Sequence, residues 1–219
     1  MSAPDRIDSH TIDQTTELEL GNFNSSYALI KRQFDLALIL LFSPLFIPLM
    51  LVTAVLIKIE SEGPIFFWQK RVGLYGKTFN MVKFRSMSTD SEANGSQFAK
   101  DGDLRVTRLG RFTRKMRIDE LPQLWNIVRG EMSLIGPRPE QELFVNNFIK
   151  TIPEYSNRHA VRPGITGLAQ VEQGYVDDSE GTRIKLKYDL SYINNLSFSM
   201  DMRIIGKTIF TMATGFGAR

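Results

Sequence analysis

Two adjacent carboxylates, Asp119 and Glu120, form the part of the sequence whose residue types best suit chemistry. Asp119 is a good helix N-cap, and Pro122 is tolerated in a first helical turn because its missing N–H would be unpaired there anyway. An apolar run at helical spacing follows, and Gly130 is predicted to end the helix. The positive end of the helix dipole and the arginines upstream favour ionised carboxylates. We therefore predict that Asp119 is charged near neutral pH and able to act as a nucleophile.

A candidate phosphate-binding arginine follows this predicted helix. Residues 133–135 are predicted to form a short strand that ends in the sequence Gly136-Pro137-Arg138-Pro139. The flanking prolines restrict the backbone around Arg138, and arginine is the side chain best suited to forked contacts with phosphate. The alternative is structural, a capped core helix followed by a rigid turn, since most helix caps do no chemistry.

Composition excludes several kinds of site. The chain has 219 residues, which suits one domain of moderate size. It contains no cysteine, so a disulfide framework, a thiol nucleophile and cysteine-ligated zinc are all excluded. His10 and His159 are the only histidines, which argues against a catalytic histidine and excludes a histidine-rich metal site. A hard cation held by carboxylates remains open.

Charge is unevenly distributed along the chain. Residues 1–30 are polar and acidic, with five acidic side chains and one basic, whereas the whole chain has a net charge of +3. We predict that residues 1–30 form a flexible extension, and they lack the basic start and apolar core of a secretory signal. The basic remainder suits an anionic membrane surface or phosphorylated substrates. Nucleic acid ranks low as a partner, because no nucleic-acid-binding motif accompanies the charge.

Residues 36–57 form a run of 22 residues without a charge. As a straight helix this run would be about 33 Å long, enough to cross a bilayer. Ser43-Pro44 and Pro48 lie near its middle, where proline frees the carbonyl four residues back and the Ser43 hydroxyl could bond to it. Basic residues flank the run on both sides, which indicates that both ends stay cytoplasmic; they are Lys31, Arg32, Lys58, Lys70 and Arg71. We therefore favour a re-entrant helix hinged at Ser43-Pro44 over a crossing helix or the buried helix of a soluble protein.

The next segment is predicted to form a small hairpin. Residues 65–72 and 78–87 have strand patterns, and residues 73–76 form the connection. Lys83 and Arg85 are two residues apart and should share one face, which is either solvated or directed at a bound phosphate. Residues 88–103 are polar and are predicted to form a mobile loop or lid.

The rest of the chain is predicted to be mainly helical. Arginines recur every third residue between Arg105 and Arg117 with apolar residues between them, which predicts a basic amphipathic helix lying on anionic headgroups or near phosphate. Further helices are predicted at 140–149, 185–194 and 201–212, the last either interfacial or in the core, with a turn-rich segment at 162–167, a strand at 168–171 and a loop at 172–183. The predicted fold class is α+β, mainly helical with a small β-hairpin, plus a re-entrant membrane helix and interfacial amphipathic helices.

Seven motifs, in order along the chain, resemble those of the bacterial sugar transferases known as monotopic polyprenyl-phosphate phosphoglycosyl transferases. The motifs are Lys31-Arg32-x-x-Asp35, Ser43-Pro44, Val82-Lys83-Phe84-Arg85-Ser86-Met87, Asp119-Glu120-Leu121-Pro122-Gln123-Leu124-Trp125-Asn126, Gly136-Pro137-Arg138-Pro139, Arg162-Pro163-Gly164-Ile165-Thr166-Gly167 and Tyr188-Asp189-x-x-Tyr192. Each motif is weak alone, but the ordered set is specific, and it covers the chain from about residue 31 to 209. It favours the functional interpretation of Asp119, Glu120 and Arg138 over the structural alternative of a capped core helix and a rigid turn.

The resemblance implies an organisation and a pair of substrates. It implies a membrane helix at 31–60 and a catalytic domain at 61–219 on the cytoplasmic face of the bacterial inner membrane. The donor would be a nucleotide diphosphate sugar, usually a uridine one, and the acceptor polyprenol phosphate such as undecaprenyl phosphate. Mg²⁺ would be the cofactor, membrane lipids would be further partners, and a homodimer is an additional possibility. The small form lacks the N-terminal bundle of membrane helices found in larger members.

The resemblance also implies roles for individual residues. Asp119 would attack the sugar-bearing phosphorus and form a phosphosugar-enzyme adduct, which polyprenol phosphate then attacks. Asp119 and Glu120 would hold Mg²⁺. The remaining predicted phosphate- or substrate-binding residues, each with a structural ion pair or turn as its alternative, are Lys83, Arg114, Pro137, Arg138 and Asp189.

Two other functions remain in competition. One is a catalytically silent membrane scaffold for glycan assembly, which would not need Asp119, Glu120 and Arg138 together. The other is a single-displacement enzyme in which Asp119 acts as a general base. Family members often have Trp where this chain has Leu168, and the residues that follow also differ, so the sugar is left unnamed.

Overall fold

A single long helix, α1, runs from Gln14 to Glu60 in the computed structural model, which describes residues 14–88, 103–173 and 179–214. Pro44 and Pro48 both lie inside this helix. Pro44 has no N–H to donate to the Leu40 carbonyl, and the Ser43 hydroxyl donates to that same carbonyl at 2.8 Å. The predicted hydrogen bond of Ser43 is therefore confirmed, and it satisfies the group that the proline leaves unpaired.

Two boundaries of this segment differ from the sequence prediction. Residues 14–30, predicted to belong to a flexible extension, are helical and continuous with the rest of α1. Residues 1–13 lie outside the described residues. The helix also continues through Ser43-Pro44 instead of ending and restarting there, so the re-entrant course stays a prediction.

The apolar part of α1 is exposed over most of its length. Residues Tyr27–Glu60 form the one helix in the described ranges that is long and apolar enough to cross a membrane, and only 6% of its most apolar window is buried. Large side chains such as Leu40 and Leu51 are 75% and 64% exposed. An apolar surface of this extent marks a membrane or protein contact.

The first turns of this segment are held by a buried carboxylate. Asp201, which is 1% exposed, accepts hydrogen bonds from Tyr27 at 2.7 Å, Lys31 at 2.5 Å and Tyr192 at 2.8 Å. Asp201 lies on α7 (Phe198–Thr214) and Tyr192 lies on α6 (Ser179–Asn194). The sequence suggested that Lys31 marks the cytoplasmic side of the membrane. In the structure it forms an internal ion pair with Asp201.

Two further polar side chains, Arg32 and Asp35, tie α1 to the domain. The Arg32 guanidinium donates to the carbonyls of Ile127 and Val128, the last residues of α3 (Gln123–Val128). Asp35 accepts from the Ser133 hydroxyl at 2.7 Å. These contacts explain the spacing of Lys31, Arg32 and Asp35, because each side chain reaches a different element of the domain.

The other end of α1 contacts the same domain. Arg85 donates to the carbonyls of Glu62 and Ser61, just beyond the helix, with the latter contact at 2.8 Å. The Glu60 carboxylate accepts from the backbone N–H of Leu109 at 2.8 Å, near the start of α2 (Arg108–Lys115). Both ends of the apolar helix are therefore attached to one folded body.

The predicted hairpin is confirmed. β1 (Phe66–Val72) and β2 (Thr78–Phe84) pair antiparallel, and the turn Leu74–Gly76 connects them. β2 ends before Arg85, and Lys83 and Arg85 have different partners, since Lys83 pairs with Glu120 and Arg85 with the Ser61 carbonyl. Residues 89–102 of the predicted loop or lid lie outside the described residues.

A second small sheet changes the interpretation of the segment after residue 160. β3 (Ser133–Ile135) pairs in parallel with β4 (Gly164–Thr166), so the predicted turn-rich segment contains a strand. The predicted strand at 168–171 is wrong, because Leu168–Glu172 forms the short helix α5. A short apolar run is compatible with either a strand or a helix. Here Leu168, Ala169 and Val171 lie on the buried side of the helix. The predicted loop at 172–183 is shorter than expected, since α6 begins at Ser179.

The remaining helices agree with the predicted α+β class. α4 spans Glu142–Thr151, and α6 and α7 cover the two helices predicted near the C-terminal end. Around β3, α5, α6 and α7 lies a core cluster formed by Ile135, Leu168, Val171, Tyr192, Ile193 and Ile204. Smaller clusters lie between the hairpin end and α4, and between β2 and α3. The predicted basic helix is limited to α2, so Arg105 and Arg117 lie outside it, and an interfacial role for it stays a prediction.

We expect Asp201→Ala to destabilise the protein strongly. The substitution leaves the Lys31 ammonium, whose side chain is 12% exposed, without its partner. Removing one member of a buried ion pair costs about 3–5 kcal/mol, which should lower Tm markedly in a thermal unfolding experiment. Lys70→Ala is the control, because its ion pair with Glu142 is exposed and should contribute less than about 1 kcal/mol. Equal small shifts in Tm for the two variants would contradict this role for Asp201.

Candidate active site

Asp119 and Glu120 lie on a short turn between α2 and α3. The turn, Ile118–Glu120, is a single 3₁₀ turn, and both carboxylates are 6% exposed. The prediction that Asp119 caps a helix is wrong, because α3 begins only at Gln123, after Pro122 at the N-cap position. The predicted end of that helix is confirmed, since Gly130 has a φ of +81° directly after the helix.

Glu120 is surrounded by cationic side chains. Arg138 forms a forked contact with it, from Nη1 to Oε2 at 3.2 Å and from Nη2 to Oε1. Lys83 Nζ is 3.4 Å and Arg117 Nη1 is 3.7 Å from Glu120 Oε1. Burial alone raises the pKa of Glu120, but the charges of Arg138 and Lys83 outweigh it and hold the pKa far below its usual range. Glu120 is therefore ionised and fixes these cations in place.

Asp119 has a different environment from its neighbour. Its Oδ1 atom is buried without a hydrogen-bond partner among the described residues. Burial and the charge of Glu120 raise the pKa of Asp119, while Lys83, Arg114 and Arg138 oppose that rise. The sequence predicted the opposite direction, because it placed Asp119 at a helix N-terminus. A buried carboxylate oxygen without a partner is costly, and in a native structure such a group calls for an explanation such as a catalytic role or a bound ion.

Two predicted cationic residues are brought to this pair. Lys83 lies on β2 beside Glu120, and burial lowers the pKa of its ammonium to about 8. Arg114, at the end of α2, donates from Nε to the Ser86 hydroxyl at 3.0 Å, and its charge acts on Asp119. Arg85, which the sequence placed on the same face as Lys83, binds the chain beyond α1 instead.

The loop that carries Arg138 is fixed by hydrogen bonds to its backbone. The Pro137 carbonyl accepts from the Gly164 N–H at 3.0 Å, and Arg158 donates to the Arg138 carbonyl at 2.8 Å. A Cβ atom on Gly164 would lie 2.1 Å from the Gly136 nitrogen, so only glycine allows this close backbone approach. Pro137 thus shapes the loop, and Arg138 is presented toward Glu120.

Asp189 does not face the carboxylate pair. It forms a fully buried ion pair with Arg158, at 2.7 Å from Nη2 and 3.0 Å from Nε, and both side chains are 2% exposed. Its influence on the site passes through Arg158, which holds the Arg138 backbone. Sequence reasoning missed Arg158, because its partner is 31 residues away and no motif connects them.

The donor set fits one mode of magnesium binding. Within the described ranges, no group of three or more His, Cys, Asp or Glu side chains could hold a metal ion alone. Mg²⁺ is commonly bound through one or two carboxylates together with substrate phosphates. Asp119 offers an unpartnered oxygen for that purpose, whereas both oxygens of Glu120 are already engaged by cations.

The whole arrangement suits chemistry on a phosphate group. Four cations, Lys83, Arg114, Arg117 and Arg138, act on two carboxylates, so the site keeps positive charge for an anion even when both carboxylates are ionised. A nucleophilic oxygen beside such a group is the combination that phosphoryl transfer requires.

Comparison with known proteins identifies the family of this protein. The family model for bacterial sugar transferases matches residues 26–215. Over 210 residues the chain is 55% identical to the UDP-N-acetylgalactosamine-undecaprenyl-phosphate N-acetylgalactosaminephosphotransferase of Aeromonas hydrophila, covering 95% of this chain and 50% of that protein. It therefore spans about half the length of that relative.

Two other relatives are covered more fully. A UDP-glucose:undecaprenyl-phosphate glucose-1-phosphate transferase of Caulobacter vibrioides is 42% identical over 186 residues, covering 84% of this chain and 70% of the relative. The exopolysaccharide production protein PSS of Rhizobium leguminosarum bv. phaseoli is 40% identical over 191 residues, covering 84% of this chain and 96% of the relative. The match of the family model to most of the chain shows that this protein belongs to the bacterial sugar transferase family.

Proposed function

We propose that this protein is a phosphoglycosyl transferase. It transfers a sugar phosphate from a uridine diphosphate sugar to undecaprenyl phosphate and releases uridine monophosphate. The observation that carries the proposal is the buried Asp119 oxygen without a partner, beside a carboxylate that gathers Lys83, Arg117 and Arg138. The names of the relatives from Aeromonas and Caulobacter describe this type of reaction with two different sugars, so the sugar is not assigned.

The reaction would proceed in two displacements. In the first, an Asp119 carboxylate oxygen bonds to the sugar-bearing phosphorus while the bond from that phosphorus to the bridging oxygen breaks, and uridine monophosphate leaves with the electron pair. In the second, a phosphate oxygen of the lipid bonds to the same phosphorus and the bond to Asp119 breaks. Two displacements let a water-borne donor and a lipid acceptor use one site in turn.

The surrounding residues support both steps. A raised pKa makes the ionised Asp119 more basic and therefore a stronger nucleophile than an exposed aspartate. Arg138 and Lys83 supply positive charge for the phosphate oxygens, where negative charge develops in the transition state. Asp119 would hold Mg²⁺ together with substrate phosphates, and the metal would neutralise charge on the diphosphate. Glu120 would join as a ligand only by releasing one of its cations.

The attachment of α1 at both ends supports a proposal for the membrane arrangement. Asp201 and Ser133 hold its first apolar turns, Leu109 holds its last residue, and Arg85 holds the chain just beyond it, all within one folded body. A helix that crossed the bilayer would place its ends on opposite sides. We therefore propose a re-entrant helix hinged near Ser43-Pro44, with the site on the cytoplasmic side of the bacterial inner membrane, where the reaction begins a surface glycan or exopolysaccharide pathway.

We expect Asp119→Asn to abolish turnover without unfolding the protein. Asparagine has the same shape but is not a nucleophile, so kcat should fall about a thousandfold or more. The assay measures release of uridine monophosphate from a panel of uridine diphosphate sugars with short-chain polyprenol phosphate and Mg²⁺. Tm should stay equal or rise, because the substitution removes a buried charge.

The control for Asp119→Asn is Lys70→Ala, which changes an exposed side chain far from the carboxylate pair in sequence and should retain wild-type turnover. Near-wild-type turnover of Asp119→Asn would show that another group is the nucleophile. Absence of turnover in the wild type across the panel would favour the silent scaffold.

The pKa of Lys83 predicts the alkaline limit of activity. Because burial lowers this pKa to about 8, the ammonium loses its charge as the pH rises through 8, and kcat/KM should decline above that value. Lys83→Arg keeps the positive charge at high pH, so its pH profile should lack this decline. The same alkaline decline in both proteins would assign the titration to another group.

The absence of cysteine makes the topology directly measurable. Single cysteines at Leu29 and Glu62, on either side of the apolar run, should both react with a membrane-impermeant maleimide only when the cytoplasmic face is accessible. A cysteine introduced at Leu51, whose side chain is exposed within the run, should be protected by lipid. Labelling of the two end positions from opposite faces would establish a crossing helix instead.

A further inference from the structure

Arg117 has a backbone conformation that its side chain does not favour. Its φ and ψ are 57° and 17°, in the left-handed region, directly after the Met116 C-cap of α2. Glycine is the usual residue where a helix ends in this conformation, because it has no Cβ to clash. An arginine here keeps the turn at an energetic cost, and such positions concentrate at functional sites.

The side chain of Arg117 reaches Glu120 of the carboxylate pair. Nη1 lies 3.7 Å from Glu120 Oε1, which is beyond hydrogen-bond length, so charge and not a directed hydrogen bond holds the pair. Arg138, by contrast, makes a forked hydrogen-bonded contact with the same carboxylate. Arg117 is therefore the member of this cluster that can turn to a second anion at the smallest loss.

Exposure distinguishes Arg117 from the other two cations on Glu120. Its side chain is 41% exposed, compared with 26% for Arg138 and 18% for Lys83. A soluble anion that approaches the site from water meets the most exposed cation first, and a guanidinium can hold phosphate oxygens through two parallel hydrogen bonds.

We propose that Arg117 binds the diphosphate of the nucleotide sugar donor. This inference rests on the proposed function and adds a residue to its site. On donor binding, the guanidinium exchanges its 3.7 Å ion pair with Glu120 for direct hydrogen bonds to phosphate oxygens next to Asp119. The left-handed turn at Arg117 is retained because it places the guanidinium beside the carboxylate pair.

Arg117→Gly separates the two roles of this residue, since glycine suits the left-handed turn but lacks the guanidinium. We expect its Tm to equal or exceed that of the wild type, because the backbone cost is removed. We expect the KM for the uridine diphosphate sugar, and its Kd measured by calorimetry, to rise roughly tenfold to a hundredfold, as for a lost charge-assisted hydrogen bond. The KM for polyprenol phosphate should change less than about twofold, and Arg117→Lys should recover part of the donor affinity.

The matched control is Arg129→Ala. Arg129 is also exposed, at 57%, and also pairs with a glutamate, Glu131, at 3.3 Å, but it follows α3 at the end remote from Asp119. It should leave the KM values of both substrates unchanged.

Other outcomes would overturn the assignment. An unchanged donor KM and Kd in Arg117→Gly would make Arg117 a helix-ending residue only, and a rise confined to the KM for polyprenol phosphate would assign the guanidinium to the lipid phosphate. Failure of the wild type to release uridine monophosphate contradicts the proposed function, whereas wild-type turnover with unaltered variants contradicts only the role of Arg117. The calorimetric comparison decides that role even when turnover is absent.

Discussion

The ionised carboxylate of Glu120 joins three segments that are far apart in the sequence. Lys83 comes from the hairpin, Arg117 from the turn after α2, and Arg138 from the loop after β3. Because three cations share one carboxylate, the site keeps excess positive charge close to Asp119. The same arrangement leaves an Asp119 oxygen without a partner, and this asymmetry between neighbouring carboxylates is the physical basis for assigning them different roles.

A second set of polar contacts places this site beside the apolar helix. Lys31 and Asp35 fix the helix to α7 and β3 through Asp201 and Ser133. The exposed apolar surface of α1 is therefore held at a defined position relative to the carboxylate pair. A transferase that joins a water-borne donor to a lipid acceptor needs this geometric relation.

Local patterns in the sequence predicted the parts that depend on local physics. These include the α+β class, the hairpin, the end of α3 at Gly130 and the Ser43 hydrogen bond. The motifs also predicted that Arg138 belongs with Asp119 and Glu120, and Arg138 contacts Glu120. The sequence failed where distant contacts decide. It predicted Asp119 as a helix N-cap, whereas Asp119 lies in a 3₁₀ turn that follows the left-handed residue Arg117. It also predicted Asp189 as a site residue, whereas Asp189 forms a buried ion pair with Arg158 away from the carboxylate pair. The metal and the membrane hinge stay predictions.

The most direct test of the central claim is the mass of the protein after reaction with donor alone. Wild-type protein mixed with Mg²⁺ and a uridine diphosphate sugar that it turns over, then quenched within one turnover, should gain the mass of one sugar phosphate. Peptide mapping should place that mass on Asp119, and polyprenol phosphate should remove it. Turnover at the normal rate with no trapped adduct, or an adduct on another residue, would contradict the account.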